Sequence, residues 1–175
     1  MYKIVVDADG LIKLGKARLL ESLLENQEVL VPAEVYEEAV VRGKLELYED
    51  ARELERTLEK NRTQIHPAKV DPRAERLLSG TSSLGAGERA ALHLYHAEHA
   101  AAILSDDRVF LRFLSENSIP YLTPASVISR FVEIGNLGHE DGLAALERLR
   151  EHIRESVYSK VREDLEHGRG GGEDG

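Results

Sequence analysis

Four acidic residues carry the chemistry this chain offers: Asp7, Glu38, Glu88 and Asp106. Asp7 ends the apolar run KIVV (3–6), and Asp106 follows AIL (102–104) and Ser105. Glu88 stands at the start of a segment rich in Ala and Leu, in the context LGAGE (84–88). Glu38 lies about one and a half turns into a helical segment that follows VLV (29–31). Mg²⁺ and Mn²⁺ prefer oxygen ligands, keep several waters and use few carboxylates per ion. Several carboxylates in one cleft repel one another until such an ion neutralises them. An ion held in this way activates water, stabilises charge on a phosphate and assists the leaving oxygen. No Ser, Cys or His nucleophile is framed in the sequence.

Each acid also has a plainer role open to it. Asp7 and Asp106 suit the N-caps of the helices that follow them. Glu88 in a first turn is favoured by the helix dipole. Glu34, Glu37 and Glu38 crowd one helix, where acids are usually solvated. The metal reading rests on the four acids taken jointly.

Positioning them requires a particular fold. KIVV (3–6), VLV (29–31), AIL (102–104) and YL (121–122) read as short strands, with a further one at 63–65. Continuous apolar runs of this length suit a parallel sheet buried on both faces. Helical patterns lie between them at 11–24, 32–41, 45–59, 72–78, 86–97, 107–116 and 124–134. A leucine, isoleucine and valine stripe runs through 143–165, as one or two helices. Strands alternating with helices indicate an α/β fold with right-handed crossovers, a parallel β-sheet flanked by α-helices on both faces. In such sheets ligands bind beyond the carboxyl ends of the strands, where Asp7 and Asp106 fall.

The composition sets outer limits. The chain has 175 residues, 42% of them hydrophobic, which suits one ordinary domain. No run of about 18 apolar residues is present, so no membrane partner is expected. The start of the sequence does not read as a signal peptide, and cysteine is absent; both fit a cytoplasmic protein. A net charge of −9 argues against coating nucleic acid by charge alone, but not against an enzyme that cuts it.

Five stretches in order, VVDADGLIKL (5–14), VPAEVYEEAV (31–40), LGAGERAAL (84–92), AILSDDRVFLRFL (102–114) and YLTPASVI (121–128), resemble the PIN-domain family, metal-dependent ribonucleases that include VapC-type toxins. The resemblance implies a PIN-like domain over 1–135 and a Mg²⁺ or Mn²⁺ site. It makes Asp7, Glu38, Glu88 and Asp106 the four family acids, with Glu37 competing for the second place. Ser105 matches a hydroxyl position that orients the site, and Asp107 a common further acid. Asp9 stands where relatives often have a small hydroxyl or amide residue. The implied activity is endoribonucleolytic hydrolysis of RNA. The family also suggests a homodimer and, for a toxin-like member, an antitoxin protein as partner.

Residues 136–167 read as a C-terminal helical extension that packs on the domain or on a partner, and GRGGGEDG (168–175) as a disordered tail. Arg89, Arg108 and Lys13, with Arg42 and Arg112 behind them, are candidate RNA contacts, or solvated and salt-bridged surface. His93, His96 and His99 suggest a polar helix face rather than a metal site. Two other functions stay open. VVDADG (5–10) also fits a haloacid-dehalogenase-like phosphatase with Asp7 as nucleophile, although the expected downstream Lys and acid pair are poorly matched. The alternative to both enzymes is a non-catalytic PIN-fold module that binds nucleic acid.

Overall fold

The computed structural model describes residues 1–46 and 48–167; the tail expected at 168–175 lies outside the described residues. Five strands, β1 (Lys3–Val6), β2 (Glu28–Pro32), β3 (Ile65–His66), β4 (Ala102–Leu104) and β5 (Tyr121–Leu122), form one sheet. The order is β3-β2-β1-β4-β5, and every pairing is parallel. The chain moves outward from β1 through β2 to β3, then returns to place β4 on the other side of β1. The crevice between the β1 and β4 tips is therefore the topological switch point, where open α/β sheets bind ligands. Val6 pairs with Leu104 in register, so the residues just beyond them, Asp7 and Ser105–Asp106, emerge side by side.

Alternation along the strands builds two cores. Ile4, Val6, Val29, Val31 and Leu104 face one of them. It is completed by helices α1 (Ala8–Lys16), α2 (Leu20–Asn26), α5 (Glu49–Lys60), α9 (Pro124–Glu133), α10 (His139–Leu149) and α11 (Glu155–His167). Val5, Leu30 and Ile103 face the other, against α6 (Pro72–Leu78), α7 (Ala86–Ala97) and α8 (Arg108–Glu116). Burial on both faces is why these strands read as unbroken apolar runs. The stripe at 143–165 divides into α10 and α11; Leu146, Leu149, Tyr158, Val161 and Leu165 join the first core.

Three local features depart from the sequence expectations. The helix expected at 11–24 is two helices, broken where Arg18 adopts a φ of 59°. The last strand before residue 67 sits at Ile65–His66 rather than at 63–65. The helix at 32–41 begins as α3 (Ala33–Tyr36), widens into a π-helical stretch at Glu37–Arg42 and tightens again as α4 (Gly43–Leu45). Such insertions shift the faces that follow them and recur at functional sites. Among the described residues, no helix is long and apolar enough to cross a membrane.

Candidate active site

Asp7 is the centre of the site. It is 2% exposed, at the tip of β1, where its backbone N–H donates to the Leu104 carbonyl at 3.1 Å. Its side chain caps α1: Oδ1 accepts from the Gly10 N–H at 2.7 Å. Oδ2 accepts from the Ser105 hydroxyl. Ser105 is fully buried, and its Oγ in turn accepts from the Asp107 N–H at 3.0 Å. Asp107 Oδ1 accepts from the Phe110 N–H at 2.8 Å and caps α8. One hydrogen-bonded chain thus ties the β1 tip to the β4 tip and fixes the Asp7 rotamer. The cap expected of Asp106 belongs to Asp107, which leaves Asp106 free to face the cleft.

Gly10 makes this approach possible. A Cβ there would lie 2.6 Å from Leu104 Cδ2 and 2.7 Å from the Leu104 carbonyl oxygen. The first turn of α1 can sit against β4 only without a side chain at this position.

Burial is the main reason the Asp7 carboxyl is pushed up to about 7; the hydrogen bonds from Ser105 and Gly10 oppose the rise, and the charges of Asp9 and Glu88 add to it. Glu88 is half-buried, and its carboxylate accepts from the backbone N–H of Gly85, the N-cap of α7. It too is raised, first by burial, with Asp107 and Glu38 contributing as like charges. Glu38 comes to this place from the π-helical stretch. Its Oε2 lies 3.1 Å from where a Cβ on Gly87 would stand, so Gly87 lets α7 and the Glu38 carboxylate come close. Between the two candidates on that helix, Glu38 is the one whose carboxylate faces α7.

Asp106 is held differently. Lys13, from α1, places Nζ 2.5 Å from Asp106 Oδ2 and 2.9 Å from Asp9 Oδ2. Burial raises the Asp106 carboxyl and the charge of Asp9 adds to the rise, against the opposing hydrogen bond and charge of Lys13. Lys13 is itself raised: burial works against its charge, but Asp106 and Asp9 outweigh burial. The cleft therefore has two sides. On one, an ammonium already bridges Asp9 and Asp106. On the other stand Asp7, Glu88, Glu38 and Asp107, and among the described residues no ion pair involves any of these four. Asp7, buried, and Glu88, half-buried, both have raised carboxyls and, among the described residues, no cation in an ion pair with them, which suits a hard divalent ion. Among the described residues no three acids or histidines already close around one point. Asp7 is turned to Ser105 and Gly10, Glu88 to Gly85, and Asp106 to Lys13, so coordination would require the last two to turn from their present partners.

The basic candidates separate clearly. Lys13 is committed to Asp9 and Asp106. Arg89 donates to the Leu84 carbonyl at 3.1 Å and to the Thr81 carbonyl at 2.8 Å, fastening the loop ahead of α7. Arg112 pairs with Glu116. Arg108 is exposed at the first position of α8. The histidine series is not one polar face: His93 is buried, its Nδ1 accepts from the Asp71 N–H at 3.0 Å, and its Nε2 lies 3.1 Å from Glu75. His99 has left the helix with a φ of 51°. For Lys13 the sequence leaves an RNA contact and a salt bridge both open; its i,i+4 spacing from Asp9 is the signal that favours the ion pair.

Comparison with curated proteins and with solved structures finds no match. Comparison with known families matches residues 3–167 to the PIN domain. The parallel sheet and its switch-point crevice agree with that match, which spans nearly the whole chain, α10 and α11 included: the chain belongs to the PIN-domain family, and its fold is of the nuclease type.

Proposed function

We propose that this chain is a metal-dependent endoribonuclease that hydrolyses RNA phosphodiester bonds at the crevice between β1 and β4. The observation that carries this reading is Asp7, a buried carboxylate at the switch point, beside Glu88 and on the side of the cleft that has no cation. Asp7, Glu88 and Asp106 would hold Mg²⁺ or Mn²⁺, with Glu38 binding directly or through water. Bound there, the ion would supply the Lewis acidity that activates water and neutralises charge on the phosphate.

The protein's own groups have definable tasks. Ser105 and the Gly10 N–H hold Asp7 in one rotamer, so both carboxylate oxygens have fixed directions. Burial keeps bulk water from screening Asp7, which strengthens its attraction for a cation. Lys13 compensates Asp106 and Asp9 and limits the negative field that a phosphate meets as it approaches. Asp9, where relatives often have a smaller polar residue, is accommodated by that lysine. Lack of cysteine suits work in the reducing cytoplasm. The Asp-x-Asp-Gly run needs no phosphatase to explain it, because Asp9 is paired with Lys13 and Gly10 is dictated by packing against Leu104.

The test is cleavage of a labelled single-stranded RNA by the wild type and by Asp7→Asn, with Mn²⁺ and with EDTA. Cleavage by the wild type that needs Mn²⁺ and disappears in the folded variant is expected. Wild-type cleavage rates in Asp7→Asn would overturn the assignment.

A further inference from the structure

Arg89 and Lys13 are engaged within the protein, which leaves the question of what meets the substrate on the way to the acids. An open groove of about 430 Å³ begins where the acid loop ends. Arg108 and Arg112 of α8, Tyr121 of β5 and Arg154, from the segment just before α11, line it. Three arginines face one glutamate there, Glu116, in a chain whose net charge is −9. Among the described residues, the side chains of Arg108 and Arg154 form no hydrogen bond or ion pair, although both are exposed. Arg108 stands two residues after Asp106, so the groove adjoins the candidate metal centre. Tyr121, on the edge strand, is 43% exposed and presents an aromatic ring among these cations.

We infer that this groove is the track along which single-stranded RNA enters the site, with Tyr121 stacking on a base and Arg108 and Arg154 holding the phosphates on either side. The inference rests on the ribonuclease reading above for what happens at the acids, but not for binding in the groove. Aromatic platforms flanked by cations bind single strands without sequence preference, because every base offers a π-face and every linkage a charge. A duplex keeps its bases stacked inside and cannot offer one to Tyr121. An acidic protein segment would use the arginines but gain little from the ring.

The test is fluorescence anisotropy of a short, unstructured, dye-labelled oligoribonucleotide in EDTA, where no cleavage intervenes. Wild type, Tyr121→Ala, Tyr121→Phe, Arg108→Gln with Arg154→Gln, and Arg130→Gln as a remote surface control are compared. Tyr121→Ala is expected to weaken binding about tenfold, while Tyr121→Phe and Arg130→Gln stay within about twofold of wild type. The double arginine variant should bind less tightly and flatten the slope of log K against log salt by about 1.4, from about 0.7 per phosphate contact on single strands. Unchanged affinity in both Tyr121→Ala and the double variant overturns the inference, as does tighter wild-type binding to duplex RNA or to an acidic peptide. The two readings fail separately. If the groove variants bind like wild type while Asp7→Asn has lost cleavage, the groove falls and the nuclease stands. If the groove variants lose binding but the wild type cuts nothing with Mn²⁺, the reverse holds.

Discussion

Replacing Asp7 by Asn should make the metal-free protein more stable, although it removes the residue on which activity is proposed to depend. The carboxyl sits at about 7 in the folded chain against an ordinary 3.8, chiefly because it is buried. Its folded value lies above its unfolded one. Between those values the native state holds a proton that the unfolded state has released, so stability falls as pH rises from about 4 to 7. The gap of about three pH units corresponds to a ceiling of about 4 kcal/mol. Relaxation and water penetration bring the effective cost nearer to 2–3 kcal/mol. Asn keeps the geometry: its carbonyl accepts from the Gly10 N–H, and its amide donates to Ser105 Oγ. Ser105 loses the acceptor for its own proton, which costs about 1 kcal/mol. The net gain is about 1–2 kcal/mol in EDTA at pH 8, or about 2–8 °C in Tm for a domain of this size. At pH 4 the gain should vanish, because wild-type Asp7 is then neutral. Mn²⁺ should raise the Tm of the wild type and leave the variant where it was. The assay is thermal unfolding across pH 4–8 with EDTA and with Mn²⁺. A variant that is less stable than wild type at pH 8 in EDTA, by the same margin as at pH 4, would refute the reasoning and make Asp7 a helix cap alone.

Two further substitutions probe the frame around Asp7. Lys13→Met strips the cation from Asp9 and Asp106, both of which remain; the loss should be about 2–3 kcal/mol in EDTA, below the cost of breaking a fully buried pair, and Mn²⁺ should recover part of it in a thermal melt. Gly10→Ala drives a methyl group into the Leu104 side chain and carbonyl; overpacking of about 1–3 kcal/mol exceeds the helical preference for Ala, so the urea midpoint should fall while the m-value holds.

The sheet was legible because its strands are buried on both faces, which leaves uninterrupted apolar runs at 4–6, 29–31 and 102–104. The acids at the ends of those runs were legible for the same reason, since a polar residue that terminates a buried strand sits at its tip. What stayed hidden is tertiary. The break at Arg18 carries no Gly or Pro, and a left-handed residue other than Gly has no strong sequence signature. The π-helical stretch at Glu37–Arg42 contains no Gly or Pro that would mark it in the sequence. The choice between RNA contact and salt bridge for Lys13 stayed open because its partner Asp106 lies 93 residues away. His93 looked like part of a polar series because its buried partner, the Asp71 N–H, comes from the start of another helix.

The most direct measurement is the anomalous difference density of crystals grown with Mn²⁺. A peak within coordination distance of the Asp7 and Glu88 carboxylates, beside Asp106 and absent from Asp7→Asn crystals, is expected. A cleft with no peak at saturating Mn²⁺, or ions seated away from Asp7 and Glu88, would contradict the proposal that these acids form a metal centre.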